Sequence, residues 1–268
     1  MNPRQACLDC LARSPGATLE AALWIAAEHE PALEVAPVMA SLHHLQRAVG
    51  AALPSLPARE LAQPLLRALT ALGFAQDERR PQRPEAALLH RVLARKRGQP
   101  LALGLIALEL AGRLDIPLLG VNFPGHFLLQ VPGADHCLDP CGGRRLYPVD
   151  YRELLARQYG PGQALRAEHL ATASPLQMLQ RLSRNLRHLH ASHDQYIAAL
   201  KDAERVLELG SGTVADYLAR ADLYQRLECT QAERFDVERA LLLTEDPAQR
   251  LRLAERLKAL RAEPRRLH

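Results

Sequence analysis

His126 and Asp139 are the residues whose types and spacing best fit a catalytic pair. In acyl-transfer chemistry a histidine takes a proton from a nucleophile, and an aspartate fixes the tautomer and orientation of that histidine. Two thiols, Cys137 and Cys141, lie on either side of Asp139 in the sequence. These four residues suggest cysteine-dependent acyl transfer or amide hydrolysis, with one of the two thiols as the nucleophile.

A buried helix and a set of short strands must position these residues. From Leu101 to Leu114 the only charged residues are Glu109 and Arg113, so a helix here is apolar on nearly every side and belongs in a core. Pro100 supplies a preset φ at the first helical position, and Asp115-Ile116-Pro117 ends the helix. At about 14 residues this segment is too short to span a bilayer.

After this helix the hydrophobic period changes from helical to alternating, which predicts short strands joined by turns. Pro-Gly pairs at 124–125 and 132–133 separate the strands. The predicted strands are 118–123, 126–131, 137–138 and 144–147. His126 therefore opens one strand and Asp139 follows another, so we expect a small antiparallel sheet as the frame of the site.

The composition predicts a mostly helical protein of the α+β class. Hydrophobic residues make up 48% of the 268 and aromatic residues only 4%, while the net charge of +4 is spread along the chain. We therefore expect no nucleic-acid partner. No run has the features of a signal peptide, and no stretch of about 18 apolar residues occurs. Because five cysteines, an odd number, fit reduced thiols, we expect a cytoplasmic protein without membrane contact.

The sequence divides at residues 159–175, where a Gly- and Pro-rich stretch predicts a hinge. We expect a first domain over 1–165, with a helical part at 1–97 and the core at 98–165. The second predicted domain, 176–268, repeats itself, because Asp202-Ala203-Glu204-Arg205 and Asp236-Val237-Glu238-Arg239 lie 34 residues apart. A period of 34 residues built of two helices indicates tetratricopeptide repeats.

The order of these motifs resembles the bacterial SirB-type family, in which a transglutaminase-like core precedes a C-terminal tetratricopeptide region. The resemblance extends from about residue 18 to residue 262. The matching segments are Arg97-Gly98-Gln99-Pro100, Asp115-Ile116-Pro117, Phe123-Pro124-Gly125-His126-Phe127, Leu138-Asp139-Pro140 with Gly142-Gly143, and Leu182-Ser183-Arg184-Asn185-Leu186. The resemblance implies a transglutaminase- or papain-like core, which presents Cys, His and Asp in that order, with His126 and Asp139 in the last two places.

The nucleophile is where this chain departs from the family. In active transglutaminase-like enzymes a Cys stands at the start of the buried helix, about 17 residues before the proline that corresponds to Pro117. That position is Pro100 in this chain, and neither Leu101 nor Ala102 beside it carries a nucleophile. The resemblance therefore implies a pseudoenzyme, in which His126 and Asp139 are the remnant of a catalytic pair. We expect no cofactor and no metal ion.

We expect this protein to bind a peptide or protein partner, through the remnant cleft or the surface of the repeats. One alternative keeps an enzyme, with Cys137 or Cys141 as the nucleophile beside His126 and Asp139. In another alternative, a metal ion is bound by ligands drawn from His126, His136, Cys137, Asp139 and Cys141. In a third, the histidine and the aspartate only join two strands as a satisfied buried pair.

Overall fold

Helices form most of the chain. The computed structural model describes residues 2–13 and 17–262, and the chain divides into two compact units, Met1–Leu182 and Ser183–His268. Within the described ranges, no helix combines the length and the apolar character that crossing a bilayer requires. The helices that begin in the first unit are α1 (Pro3–Arg13), α2 (Thr18–His29), α3 (Val35–Ala52), α4 (Ala62–Ala71), α5 (Leu89–Arg95), α6 (Pro100–Arg113), α7 (Pro148–Tyr159) and α8 (Pro175–Ala191). Those of the second unit are α9 (Tyr196–Glu208), α10 (Val214–Arg226), α11 (Thr230–Leu243) and α12 (Pro247–Ala262).

Short strands form two small sheets in the first unit. Two of them, β1 (Ala75–Gln76) and β2 (Arg97–Gly98), pair in parallel. The other four form an antiparallel sheet in chain order and are β3 (Leu119–Val121), β4 (Leu128–Gln130), β5 (Cys137–Leu138) and β6 (Arg145–Leu146). The mostly helical α+β fold with a small antiparallel sheet is therefore confirmed. Three strands are shorter than predicted, because the turns between strands include residues that the alternation assigns to the ladders.

The predicted core helix is α6. The sequence places it at Leu101–Leu114, and the structure confirms it with Pro100 as the first helical residue. Nine of its fourteen residues are buried, so the helix is covered on most of its surface. Near its C-terminal end, Arg113 Nε donates a hydrogen bond to Glu109 Oε1 at 2.7 Å, so the two charged residues of the helix pair with each other.

The Phe127 ring fixes α6 against the antiparallel sheet. This ring is buried between Gly104 on α6 and Gly120 on β3. A Cβ atom at Gly104 would lie 2.5 Å from Phe127 Cε1, and one at Gly120 would lie 2.8 Å from Phe127 Cζ. Only glycine leaves room for the ring at both positions. The two glycines therefore set the place of the residue that directly follows His126.

In the second unit, consecutive helices pack on one another from α9 to α12. Buried ion pairs accompany the apolar contacts: Asp216 accepts hydrogen bonds from Arg184 and Arg187, and Asp236 accepts two from Arg220. The starts of α9 and α11 are 34 residues apart, which is the period read from the sequence. The assignment of these helices to tetratricopeptide repeats stays a prediction.

Candidate functional site

Apolar side chains occupy the start of α6, where the family resemblance places a nucleophile. Pro100 is the first helical residue and follows an extended Gln99. The side-chain amide of Gln99 donates to Gln82 Oε1 at 2.9 Å, which holds this end of the helix to the preceding segment. Leu101 and Ala102 are buried. None of the three residues from Pro100 onward carries an ionisable group.

His126 lies at the end of a tight turn. The carbonyl of Phe123 accepts a hydrogen bond from the His126 backbone N–H at 3.0 Å. Between them lie Pro124 and Gly125, and the φ of +70° at Gly125 is the left-handed conformation that a type II turn requires at this position. Arg181 of α8 donates from Nη1 to the same Phe123 carbonyl at 2.8 Å. The Arg181 guanidinium therefore lies at the turn that carries His126.

The surroundings of His126 favour its neutral imidazole. Burial lowers the pKa of His126 below 6.5, and the positive charges of Arg181 and Arg157 lower it as well. The Asp139 carboxylate raises this pKa but does not outweigh the other causes. The ring is therefore uncharged at neutral pH, so one nitrogen accepts a hydrogen bond while the other donates one.

The Asp139 carboxylate faces its own turn. Its Oδ1 accepts a hydrogen bond from the Cys141 backbone N–H at 2.7 Å, which is the local pattern called an Asx turn. The Asp139 backbone closes the same turn, donating to the Arg144 carbonyl and accepting from the Gly143 N–H, both at 2.9 Å. Within the described residues, Asp139 and His126 share no hydrogen bond. Asp139 acts on the imidazole through its charge.

Cys141 is the thiol most affected by this arrangement. Burial raises the pKa of Cys141 to about 12, and the charge of Asp139 and a hydrogen bond to its carboxylate act in the same direction. The thiolate is the nucleophilic form of cysteine, and catalytic thiols have a pKa below the ordinary value. Cys141 is therefore protonated at neutral pH and lacks the activation of a nucleophile.

Cys137 belongs to β5, and its side chain is packed in the core. Its side chain lies in a buried cluster that includes Phe123 and Tyr151. Burial raises the pKa of Cys137, although a hydrogen bond with Tyr151 acts in the opposite direction. The Cys137 backbone N–H donates to the Tyr151 hydroxyl, which in turn donates to the Leu146 carbonyl, both at 2.8 Å. In the part of the chain that the structure describes, no hydrogen bond connects this thiol to His126.

His136 has partners outside the predicted set of ligands. Its Nδ1 lies 2.8 Å from Asp135 Oδ1, and its ring centroid lies 5.6 Å from that of Tyr147. Across residues 2–13 and 17–262, the structure does not bring ligand atoms of any three of the five predicted ligands together. The metal-ion alternative therefore finds no support in this geometry.

Sequence reasoning missed Arg181, Arg157 and Tyr151. The two arginines act on the pKa of His126, and Tyr151 joins β5 to β6. Arg181 lies far downstream of His126, so no local spacing connects the two residues. For Tyr151 a signal existed, because a tyrosine on the buried side of a predicted helix needs a partner for its hydroxyl.

A family model matches the part of the chain that contains this site. The model is described as the transglutaminase-like superfamily, and it matches residues 36–184. This segment includes the core helix α6, the antiparallel sheet, the His126 turn and Asp139. The fold and the match together define a transglutaminase-like protein.

Three relatives define the family more narrowly. A UPF0162 protein of Pseudomonas aeruginosa is 58% identical over 258 residues, which cover 96% of this chain and 96% of that protein. A UPF0162 protein of Xylella fastidiosa is 34% identical over 178 residues, which cover 64% of this chain and 63% of that protein. Protein SirB1 of Salmonella typhimurium is 28% identical over 168 residues, which cover 62% of each chain. This chain belongs to the SirB-type family of transglutaminase-like proteins.

Proposed function

We propose that this protein binds a peptide or protein partner around His126 and does not catalyse cysteine-dependent acyl transfer. The observation that carries the proposal is the state of Cys141, whose pKa burial and Asp139 raise to about 12. Cys137 has a raised pKa as well, and Pro100 begins α6 at the position where active transglutaminase-like enzymes have their nucleophile. The enzyme alternative needs a thiol of lowered pKa beside His126, so these three observations weigh against it.

Polar groups around His126 suit the binding of a peptide. The imidazole is neutral and half-buried, and the neighbouring Gly125 is exposed. A peptide backbone offers both donors and acceptors, and a neutral imidazole provides one of each. The guanidinium of Arg181 adds a positive charge next to the turn. A second surface for a partner is the helical region from α9 to α12, where the 34-residue spacing supports a repeat array.

We also propose that the protein acts in the cytoplasm. No disulfide bond joins any two of the five cysteines, which all lie within the described residues, although Cys7 and Cys10 lie near each other in α1 and Cys137 and Cys141 lie close in sequence. Cysteines outside disulfide bonds are typical of compartments that keep thiols reduced.

A peptide library displayed on phage, with the full chain as bait, tests the proposed binding. We expect enriched peptides whose affinity, measured by fluorescence polarisation, falls at least about tenfold in His126→Ala. His136→Ala is the matched control, because His136 interacts with Asp135 and Tyr147 instead. Urea unfolding should show that the His126 variant keeps its free energy of unfolding to within about 1 kcal/mol.

Two results would contradict this proposal. In the first, His126→Ala leaves peptide affinity unchanged and lowers the free energy of unfolding, as expected if the imidazole only stabilises the fold. In the second, the purified protein hydrolyses or exchanges amide bonds, and the activity disappears when Cys137 or Cys141 is replaced by Ser.

A further inference from the structure

The helix α11 has an exposed apolar face in addition to its buried one. Its inward side is formed by Glu233, Asp236, Val237 and Ala240, which are all buried. On the outer side, Phe235 is 50% exposed and Leu242 is 74% exposed. They lie seven residues apart, which is two helical turns, so both belong to one stripe.

Two opposite charges lie between these apolar residues. Glu238 and Arg239 are three and four residues after Phe235, which places them on the same stripe. The Arg239 guanidinium lies over the Phe235 ring, 5.2 Å from its centroid. Glu238 accepts a hydrogen bond from Arg234 Nε at 2.8 Å and, as a carboxylate, has acceptor capacity for a further donor. Along α11 the stripe is therefore apolar, acidic, basic and apolar.

We propose that this stripe is the contact between two copies of the chain, with the two α11 helices antiparallel. A two-fold axis that passes between Glu238 and Arg239 places Phe235 of one copy against Leu242 of the other. The same axis places Glu238 of each copy against Arg239 of the other. In a two-fold interface every contact occurs twice, so one axis pairs all four side chains in both copies.

The charges select this arrangement over the parallel one. If the two helices ran parallel about a two-fold axis, Glu238 would face Glu238 and Arg239 would face Arg239. Like charges that face each other disfavour association, and opposite charges favour it. The stripe is complementary to itself only in the antiparallel arrangement, which is why a second copy fits it.

Sedimentation analysis of the full chain tests the proposal. From about 1 to about 300 μM, we expect the mass to rise from that of one chain, 29.7 kDa, towards twice that value. Glu238→Arg or Arg239→Glu alone should raise the dissociation constant at least about tenfold, because like charges then meet. The double variant should restore the wild-type dissociation constant, since it exchanges the two charges and keeps them complementary.

Leu242→Ser and Leu251→Ser form a matched pair. Both residues are highly exposed leucines of the second unit, at 74% and 63%, but only Leu242 lies on the α11 stripe. We expect Leu242→Ser to weaken the dimer and Leu251→Ser to leave it unchanged. Circular dichroism should show an unchanged fold for both, because neither side chain is buried.

Three results would overturn the proposal. The wild-type chain stays monomeric over the whole concentration range, the double charge exchange fails to restore the dimer, or the two leucine variants weaken it equally. The first of these would also be the outcome if the stripe bound a different protein.

Discussion

Burial and the Asp139 carboxylate together keep the Cys141 thiol protonated. In cysteine enzymes a positive charge or a helix N-terminus stabilises the thiolate and lowers the thiol pKa. Here a negative charge lies beside a buried thiol, so burial and Asp139 both favour the protonated form. The same carboxylate accepts a hydrogen bond from the Cys141 backbone, which keeps the two groups together. Burial therefore raises the pKa of Cys141, and the turn adds to it by holding Asp139 beside the thiol.

Alkylation of the native protein should distinguish the thiols by their reaction rates. We expect iodoacetamide at about pH 8 to modify the exposed Cys229 and to leave Cys137 and Cys141 unmodified, because a thiol must ionise before it reacts. Because the pKa of Cys141 is about 12, its rate should still be rising with pH at the highest pH at which the protein stays folded. Mass spectrometry of peptides after timed quenching measures each site. Rapid modification of Cys141 near neutral pH would refute the assigned pKa direction.

For single residues, the sequence predicted the position in the chain's fold better than the direction of the side chain. His126 and Asp139 could be placed beside their strands because turn residues mark the strand ends. The direction of the Asp139 carboxylate depends on a competition between the imidazole and the backbone of its own turn. A run of Asp-Pro-Cys-Gly-Gly favours the local hydrogen bond, and that signal was available in the sequence.

At the scale of elements, the contact between α6 and the sheet depends on close approach. The Phe127 ring lies directly against Gly104 and Gly120, with no side chain between the ring and either backbone. His126 precedes Phe127, so this packing also limits where the imidazole lies. Any side chain at Gly104 has to move the ring or the helix.

Two glycines of α6 give a matched test of this packing. Gly104→Ala should lower the free energy of unfolding by about 1–3 kcal/mol, because its Cβ would lie 2.5 Å from the Phe127 ring. Gly112→Ala should raise it by about 0.5–1 kcal/mol, since nothing lies within 4 Å of that Cβ and alanine favours a helix. Urea unfolding of both variants measures the difference. Equal effects would show that the ring moves freely.

The sequence predicted most of the elements because burial leaves a periodic pattern. It predicted α6 to within one residue at each end and located all four strands of the antiparallel sheet. It did not predict the strand ends, which depend on how far each turn extends into the ladder. It also did not connect Arg181 to Phe123, because that hydrogen bond joins segments that are distant in the chain.

At the scale of the whole molecule, Asp216 and His126 both lower the free energy of unfolding as the pH falls. Burial raises the pKa of Asp216, but the hydrogen bonds and charge of Arg184, with hydrogen bonds from Thr213, lower it to about 2. Its contribution is complete above the unfolded pKa of about 4 and is lost as the pH falls towards 2. The lowered pKa of His126 has the same sign, because its contribution is complete above about pH 6.5 and is lost below that.

Asp216→Asn and Asp222→Asn compare a buried and an exposed carboxylate. The first should lower the free energy of unfolding by about 3 kcal/mol at neutral pH, since it leaves Arg184 and Arg187 without their counter-charge. Asp222 is 62% exposed and pairs with Arg256 at the surface, so its loss should cost less than about 1 kcal/mol. Urea unfolding at pH 7 and at about pH 3 also measures how the free energy of unfolding changes with pH, and this change should be smaller in the Asp216 variant than in the wild-type chain. A pH dependence in the Asp216 variant equal to that of the wild-type chain would contradict the lowered pKa of Asp216.

The position of α8 decides where the chain tolerates cleavage. Residues 160–166 form neither helix nor strand, so a protease would cut there and leave α8 with the C-terminal fragment. The N-terminal fragment would then lack Thr172 and Ala173, which pair with β3, and Arg181, which donates to Phe123. It would have an uncovered strand edge, which promotes aggregation. A truncated protein that keeps the His126 turn intact must therefore extend to at least Leu182.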